Sequence, residues 1–256
     1  MIKLYTTISR RKYIFLAGLS FGSFVLSWVI LSSTIETAKI FLPSPITVFD
    51  DAVRLFRNES FIADILASIW RVSVGFLAAV LIAFPIGILA GTVKSVDAVV
   101  QPFNDFVRYM PVAAFIPLSI LWVGIGDLQK MLIIFMGTVF QLIPLITDTA
   151  SGMPKHLIEL GYTMGGKPWQ VLLRVVVPWC LPVCYDHSRV ALGWAWSYLV
   201  VAELVAAESG IGHVIIQSQR FIQTGKVITG ILVIGLIGLI FDQLFRLPKR
   251  VIFKWL

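Results

Sequence analysis

Six stretches of this sequence are long and apolar enough to cross a lipid bilayer, and no other feature restricts its fold as strongly. A helix needs about 20 mostly apolar residues to span the hydrocarbon core. The predicted spans are residues 13–32, 72–92, 109–125, 131–147, 190–207 and 227–245. The sequence therefore predicts an all-α membrane protein with six transmembrane helices.

The composition supports a membrane protein over a soluble one. Of the 256 residues, 58% are hydrophobic and 14% are charged, whereas charged residues make up about 25% of an ordinary soluble domain. A net charge of +7 would suggest a nucleic-acid partner for a soluble protein. Here the basic residues lie between apolar runs, so we interpret them as determinants of membrane topology and expect no nucleic-acid partner.

The distribution of basic residues predicts which loops face the cytoplasm. With a cytoplasmic N-terminus, fourteen of the 21 basic residues lie in inside segments and seven in outside segments. The inside set is Lys3, Arg10, Arg11, Lys12, Lys94, Arg108, Lys155, Lys167, Arg174, Arg189, Arg246, Lys249, Arg250 and Lys254. The outside set is Lys39, Arg54, Arg57, Arg71, Lys130, Arg220 and Lys226. Because cytoplasmic loops are enriched in Lys and Arg, both termini are predicted to be cytoplasmic.

The segments between the spans complete the predicted organisation. The scheme has a cytoplasmic N-terminus at 1–12, a first span at 13–32, an extracytoplasmic segment at 33–71, a core at 72–245 and a cytoplasmic C-terminus at 246–256. The first apolar run reaches Ser32 without a small-residue cleavage site, so we interpret it as an uncleaved helix and not as a signal peptide.

Proline and glycine recur inside the predicted spans. Pro85, Pro111, Pro117 and Pro144 predict kinks or breaks, which survive in a membrane only where protein or a cavity supports them. Residues 87 and 91 are both glycine, and this spacing favours close helix packing over a role in ligand binding.

The longest polar break between spans, residues 151–189, is predicted to be a structured cytoplasmic loop. An amphipathic helix from Leu157 is followed by a turn at 165–168, which reads Gly-Gly-Lys-Pro. A second short helix then begins and is predicted to be closed by Pro178 and Pro182. Two ordered helices exceed what a simple connection needs, so the loop predicts a docking surface.

This loop resembles the EAA loop of the permeases of ATP-binding cassette (ABC) importers. The family pattern is Glu-Ala-Ala, three residues, Gly, nine residues and a β-branched-x-aliphatic-Pro ending, and the match falls on Glu159, Gly165, Val175, Val177 and Pro178. The departure is Leu160-Gly161 where Ala-Ala is common. The resemblance assigns contact with an ATPase subunit to Glu159, Gly161, Gly165, Gly166, Lys167, Trp169, Arg174 and Pro178.

Further motifs resemble the nitrate/sulfonate/taurine/bicarbonate group of these permeases. Residues 42–45 read Leu-Pro-Ser-Pro, residues 117–126 end in Leu-Trp-Val-Gly-Ile-Gly, and residues 209–212 read Ser-Gly-Ile-Gly after Glu203. Each motif is weak alone, but together they cover nearly the whole chain in family order. The stretch from Trp122 favours sulfonate or taurine over nitrate or bicarbonate.

The resemblance implies the fold, the partners and the mechanism. It implies a type I ABC importer permease that pairs with a second permease copy, two cytoplasmic ATPase subunits and an extracytoplasmic binding protein. The chain itself would bind no cofactor, because ATP and Mg²⁺ would lie on the partner ATPase. It would be a multi-pass protein of a bacterial-type inner membrane and would move a small organic anion or oxyanion by alternating access.

Two other classes of function were weighed against an ABC permease. An ATP-independent secondary transporter or channel predicts inverted repeats and charged residues at mid-membrane, and neither signal is strong here. A membrane scaffold would not need the spacing from Glu159 to Gly165 and Pro178.

Glu203, Arg71 and Trp122 are candidates for the translocation path. An ionisable residue in an apolar span usually faces the interior or a water-filled path. The alternative for Glu203 and Arg71 is a position near the outer interface, where their charges reach water, and the sequence does not decide between the two. Nor does it show whether Glu203 and Arg71 pair.

Two motifs that mimic other sites are rejected. Residues 161–168 resemble a phosphate-binding loop, but Pro168 replaces the hydroxyl residue and a helix, not a strand, is predicted before the glycines. Cys180, Cys184 and His187 share a helical face, and His156 could join them. Their spacing matches no zinc signature, so no metal is expected. No constellation of residues indicates an enzyme active site.

Overall fold

The computed structural model describes residues 8–34, 38–58 and 60–253, and these residues form helices joined by short connections. The helices are α1 Arg10–Thr34, α2 Ala38–Phe41, α3 Pro45–Asn58, α4 Phe61–Thr92, α5 Lys94–Arg108, α6 Ile116–Val123, α7 Asp127–Ser151, α8 Lys155–Thr163, α9 Pro168–Val171, α10 Val177–Ala206, α11 Ile211–Arg220 and α12 Thr224–Ile252. A 3₁₀ turn, Val112–Phe115, precedes α6, and a π-helical turn, Leu172–Val176, joins α9 to α10. The all-α class is confirmed. Lys3 and Lys254, which the topology argument counted, lie outside the described residues.

Four helices are long and apolar enough to span a membrane, compared with the six spans predicted. They are α1, α4, α7 and the part of α12 at Thr224–Lys249, and a bent helix pair raises the number to five among the described residues. The predicted fifth span lies within α10, a helix of 30 residues that also carries Asp186, Arg189 and Glu203.

The predicted third span, residues 109–125, is not one helix. α5 and the segment from Val112 to Val123 meet at an angle of 87°. Pro111 has extended backbone angles (φ −66°, ψ 113°), and a proline disfavours helical geometry at the residue before it. The eight residues of α6 cover only about 12 Å, so α6 alone is too short to span the membrane.

α5 contacts the middle of α7, and α6 contacts its beginning. Asn104 Nδ2 donates a hydrogen bond to the carbonyl oxygen of Phe140 at 3.1 Å, near the middle of α7. Gln129 Nε2, near the start of α7, donates to Ser119 Oγ at 3.0 Å. α5 and α6 therefore form a broken span. Arg108, counted above as a residue of a cytoplasmic segment, instead ends α5 beside the middle of α7.

The chain divides into two compact units. In the unit of residues 61–214 and 232–256, α4, α7 and α10 pack together. A Cβ added at Gly87 would lie 2.7 Å from Ile146 Cβ, and one at Gly91 would lie 2.6 Å from Ala150 Cβ. Only glycine allows α4 and α7 to approach so closely, which confirms the predicted packing role of Gly87 and Gly91.

In the other unit, residues 1–60 and 215–231, the Leu-Pro-Ser-Pro motif starts a helix. Ser44 Oγ accepts a hydrogen bond from the backbone N–H of Thr47 at 3.2 Å, and Pro45 is the first residue of α3. A serine N-cap followed by proline is a favourable helix start. Trp28 Nε1 donates to the carbonyl oxygen of Pro43 at 3.1 Å, which joins α1 to this motif.

Candidate functional sites: a docking loop and a buried ion-pair network

The docking loop, residues 152–176, turns sharply at Gly165. Gly165 has a φ of +79°, a left-handed conformation that costs other residues about 1–2 kcal/mol. The N–H of Gly165 donates to the carbonyl of Tyr162 at 2.9 Å, and the N–H of Gly166 donates to that of Gly161 at 3.1 Å. These two bonds form the Schellman motif that ends α8, so the predicted turn has a structural cause.

Gly161 and Gly166 let the second helical segment pack onto α8. A Cβ at Gly161 would lie 3.2 Å from Val171 Cγ2, and one at Gly166 would lie 2.7 Å from the carbonyl oxygen of Gly161. Val171 is buried at 3% exposure in this contact. The departure from Ala-Ala at position 161 therefore serves close packing, and the loop is a small rigid hairpin of helices.

Pro178 and Pro182 do not close the second helix, contrary to the sequence prediction. The chain stays helical from Pro168 to Ala206, because the π turn Leu172–Val176 widens the helix just before Pro178. A proline ring collides with the carbonyl four residues earlier in an ordinary helix. Here that carbonyl belongs to Arg174, inside the π turn, where the wider spacing accommodates the ring.

The docking loop presents apolar and charged side chains to its surroundings. Glu159, Lys167 and Arg174 are exposed. The large exposed apolar side chains are Leu160, Tyr162, Met164, Trp169 and Leu173. Such a patch on a rigid loop is typical of a protein interaction site.

The Arg71–Glu203 network, the second candidate site, joins α4, α7 and α10. Arg71 NH1 lies 2.7 Å from Glu203 Oε1, and Arg71 NH2 lies 2.7 Å from Asp127 Oδ1. The side chains of Arg71 and Glu203 are 4% and 0% exposed, whereas that of Asp127 is 52% exposed. The Arg71–Glu203 pairing that the sequence left open is therefore present, and it lies beside the first residue of α7.

The Arg71 guanidinium donates four hydrogen bonds. Nε donates to Asp127 Oδ1, NH1 donates to Glu203 Oε1 and to the carbonyl oxygen of Ser209, and NH2 donates to Ser209 Oγ. NH2 also lies 2.7 Å from Asp127 Oδ1 as an ion pair, so most of the five N–H donors of the guanidinium are engaged within the network. Because leaving a buried charge unpaired is strongly destabilising, this arrangement indicates a structural clamp.

The same network caps the start of α11. The backbone N–H groups of Gly210, Ile211 and Gly212 donate to Asp64 Oδ1, Ser68 Oγ and Glu203 Oε2 at 2.7, 2.9 and 2.8 Å. Helix N-termini leave such donors unsatisfied and favour negative charge. Gly210 has a φ of +111°, and a Cβ there would collide with Glu203 Oε1, so the Ser-Gly-Ile-Gly motif is explained by this cap.

Sequence reasoning did not single out Asp64 and Asp127. The spacing of Asp64, Ser68 and Arg71 places them on one face of α4, and this pattern was available as a signal. Trp122 is 59% exposed near the end of α6. The path role of Glu203, Arg71 and Trp122 stays a prediction.

The structure also locates the two rejected motifs. The glycine N–H groups of the phosphate-loop mimic bond to carbonyls of α8, which uses the donors that a phosphate would need. Cys180 and Cys184 are 0% and 2% exposed. They precede the predicted span at 190–207, and burial raises the pKa of the Cys184 thiol to about 12. His187 Nε2 lies 3.1 Å from Thr149 Oγ1.

The apolar helices, the helical hairpin of the docking loop and the buried ion-pair network are the features of a multi-helix membrane protein. Residues 83–252 match the family described as the binding-protein-dependent transport system inner membrane component. The chain belongs to this family. It is thus a multi-pass inner-membrane protein whose family works with an ATPase subunit and a substrate-binding protein. It is not an enzyme, since ATP hydrolysis belongs to the separate subunit.

Curated relatives match the chain over most of its length. A Brucella melitensis protein named as an ABC transporter permease is 32% identical over 93% of this chain and 95% of its own length. A Bacillus subtilis protein named as the aliphatic sulfonates transport permease SsuC is 31% identical over 96% of this chain and 90% of its own. The taurine transport system permease TauC of Escherichia coli is 29% identical over 89% and 85%.

Solved structures of the MetNI methionine ABC transporter in inward-facing conformations share the fold. The likeness has a TM-score of 0.62 at 19% identity and covers 73% of this chain and 94% of that one. At this identity the likeness shows the fold alone, and it confirms the type I importer permease architecture.

Proposed function

We propose that this chain forms the translocation path of an ATP-driven importer for small organic anions, with a sulfonate as the best candidate. The names of the B. subtilis and E. coli relatives support a sulfonate. A nitrate import permease of Synechocystis, 24% identical over 79% of this chain, keeps inorganic oxyanions as the second candidate.

The geometry of the docking loop carries the proposal. α8 and α9 fold into a rigid hairpin around Gly161 and Gly165, and α9 continues into α10 without a break. Two ATPase subunits would seat on the loops of two permease copies, with Glu159, Lys167, Trp169 and Arg174 at the contact. ATP binding would bring the loops together and reorient the helices by alternating access, since a rigid contact transmits rigid-body motion.

The proposed complex is a homodimer of permeases with both termini in the cytoplasm. The inside excess of basic residues supports this orientation. An extracytoplasmic binding protein would deliver the anion to the face at which α7 begins.

Uptake by the reconstituted complex tests the function. The permease, its ATPase and its binding protein would be placed in proteoliposomes, and uptake of labelled ethanesulfonate and nitrate would be measured with and without ATP inside. ATP-dependent uptake of ethanesulfonate is expected. Uptake by the permease alone, driven by an ion gradient, would favour the secondary transporter and overturn the proposal.

Substitutions of Gly165 test the docking loop. The left-handed φ of Gly165 has open space around it, with no atom within 4 Å of an added Cβ. Gly165→Val should therefore act through the backbone alone and reduce ATP-dependent uptake sharply. Gly165→Asn is the matched control, because asparagine tolerates this conformation, and it should retain most uptake. Equal uptake by both variants, with the ATPase still bound, would mean that the turn does not transmit the motion.

A further inference from the structure

A stripe of polar residues follows α5 toward the helix break. Its members are Lys94, Asp97, Gln101, Asp105 and Arg108, spaced three or four residues apart along one face. The other side of α5 is apolar and exposed, with Val99, Phe103 and Phe106 at 62–74%. α5 is therefore amphipathic, unlike the apolar spans around it.

The Arg108 end of the stripe lies beside the middle of the spanning helix α7. Asn104 bonds to the carbonyl oxygen of Phe140, which is 13 residues from Asp127 and 11 from Ser151. At 1.5 Å per residue these distances are about 20 and 16 Å. Arg108 is one turn beyond Asn104 and borders a narrow crevice with Gly137 and Gln141. The charge of Arg108 is thus at about half the depth of α7.

Several polar atoms of α5 near this depth lack hydrogen-bond partners among the described residues. They are Gln101 Oε1, Asn104 Oδ1, Asp105 Oδ1 and Arg108 Nε, all of them buried. Asp105 Oδ1 and Arg108 Nε form an ion pair at 3.2 Å without hydrogen-bond alignment. Unsatisfied polar atoms at membrane depth need a water-filled cavity, so we expect the polar edge of α5 to be hydrated.

Arg108 differs from Arg71 in what it can still bind. The guanidinium of Arg71 is buried, and it donates four hydrogen bonds within the network. The side chain of Arg108 is 30% exposed, and its NH2 donates to Tyr109 Oη over a long 3.3 Å while the guanidinium carbon lies 5.0 Å from the Tyr109 ring centroid. A guanidinium held on one side by a carboxylate and a ring can offer its other edge to an oxyanion.

We propose that the polar edge of α5 lines the aqueous path and that Arg108 binds the anionic group of the substrate, a sulfonate, half-way through the membrane. The proposal rests on the proposed function and adds the site to it. Asp105 competes with the anion for Arg108, which keeps binding weak enough for release, as conduction requires.

Cysteine labelling tests the aqueous edge without any substrate. Gln101→Cys and Arg108→Cys lie on the polar edge, and Phe103→Cys, on the apolar side, is the matched control. Each would be made in a background with Cys180→Ala and Cys184→Ala, and labelled with methanethiosulfonate ethylsulfonate in the assembled complex. Because only a hydrated thiolate reacts, labelling at 101 and 108 should be about tenfold faster or more than at 103. Labelling at 103 as fast as at the other two positions would overturn the aqueous edge.

Uptake of ethanesulfonate tests the role of Arg108. Arg108→Gln should reduce uptake about tenfold or more, the effect of losing one charge-assisted hydrogen bond, and Arg108→Lys should restore part of it. Arg11→Gln, at an exposed position in the first turn of α1 and outside the stripe, should leave uptake unchanged.

The outcomes separate the inference from the proposed function. Wild-type uptake of ethanesulfonate with equal uptake by Arg108→Gln would overturn the anion site and leave the importer intact. Absence of sulfonate uptake by the wild type would refute the sulfonate and with it the ligand assigned to Arg108, while the labelling rates would still decide whether α5 lines the path.

Discussion

Replacing Arg71 with glutamine should destabilise the protein by about 3–5 kcal/mol, the range for breaking a buried ion pair by removing one partner. The reason is the environment of Glu203, which is 0% exposed and loses its countercharge, although Ser68 and the N–H of Gly212 still donate to it. Asp127 is 52% exposed and can turn to water, so it adds little to the penalty.

The two members of the pair should not be equivalent. Glu203→Gln leaves Arg71 with Asp127 as countercharge, so it should cost about 1–3 kcal/mol, the range for a lost charged hydrogen bond. The double variant Arg71→Gln/Glu203→Gln carries no unpaired charge in this pair and should be more stable than Arg71→Gln alone.

Reversible unfolding in mixed micelles, followed by the fluorescence of the eight tryptophans, would measure these free energies. Lys94→Gln is the control, because its side chain is 89% exposed, and it should show no measurable change. A loss below about 1 kcal/mol for Arg71→Gln, or a double variant less stable than that single one, would refute the assignment of the network as a clamp.

The remaining predictions concern orientation, energy source and thiol reactivity. Asp50→Cys should be labelled by an impermeant reagent from outside intact cells and Ser151→Cys should not; the reverse pattern would invert the topology. The purified chain should not hydrolyse ATP, because the glycine N–H groups at 165–166 are already bonded within the loop; activity that co-purifies strictly with this chain would contradict this. Cys184 should resist alkylation at pH 8 in the folded protein, because its thiol pKa of about 12 keeps it protonated; rapid modification would show that it is not buried.

The helical class and the turn at Gly165 could be predicted because local signals decide them. Apolar runs of spanning length allow little but helices in a membrane, and the Gly-Gly-Lys-Pro sequence demands a left-handed turn followed by a helix start. The close helix contact at Gly87 and Gly91 could be predicted as well, since small residues mark such contacts.

The errors arose where tertiary structure overrides a local rule. Pro111 was placed inside one span, because the apolar run of 109–125 hides the break that the proline causes. Pro178 was taken as a helix end, because a sequence does not reveal that a π turn will receive its ring. The position of Arg108 beside the middle of α7 depends on the contact of Asn104 with Phe140, which the sequence does not reveal.

The docking loop and the clamp are connected by a single helical path. From Pro168 the chain remains helical to Ala206, so the proposed ATPase-docking surface and the carboxylate of Glu203 are parts of one helical segment of about 50 Å. At the far end of this helical segment, Glu203 is bonded to Arg71 of α4 and to the start of α11.

A force applied at the loop would therefore move α10 together with α4, because the buried ion pair resists their separation. Among the residues that the structure describes, α5 forms no ion pair with α4 or α10 near its break, where the chain turns by 87°. Motion that carries α4 and α10 as one body would thus change the space beside Arg108. In the proposed alternating-access mechanism, this is the part of the path that opens to one side and then to the other.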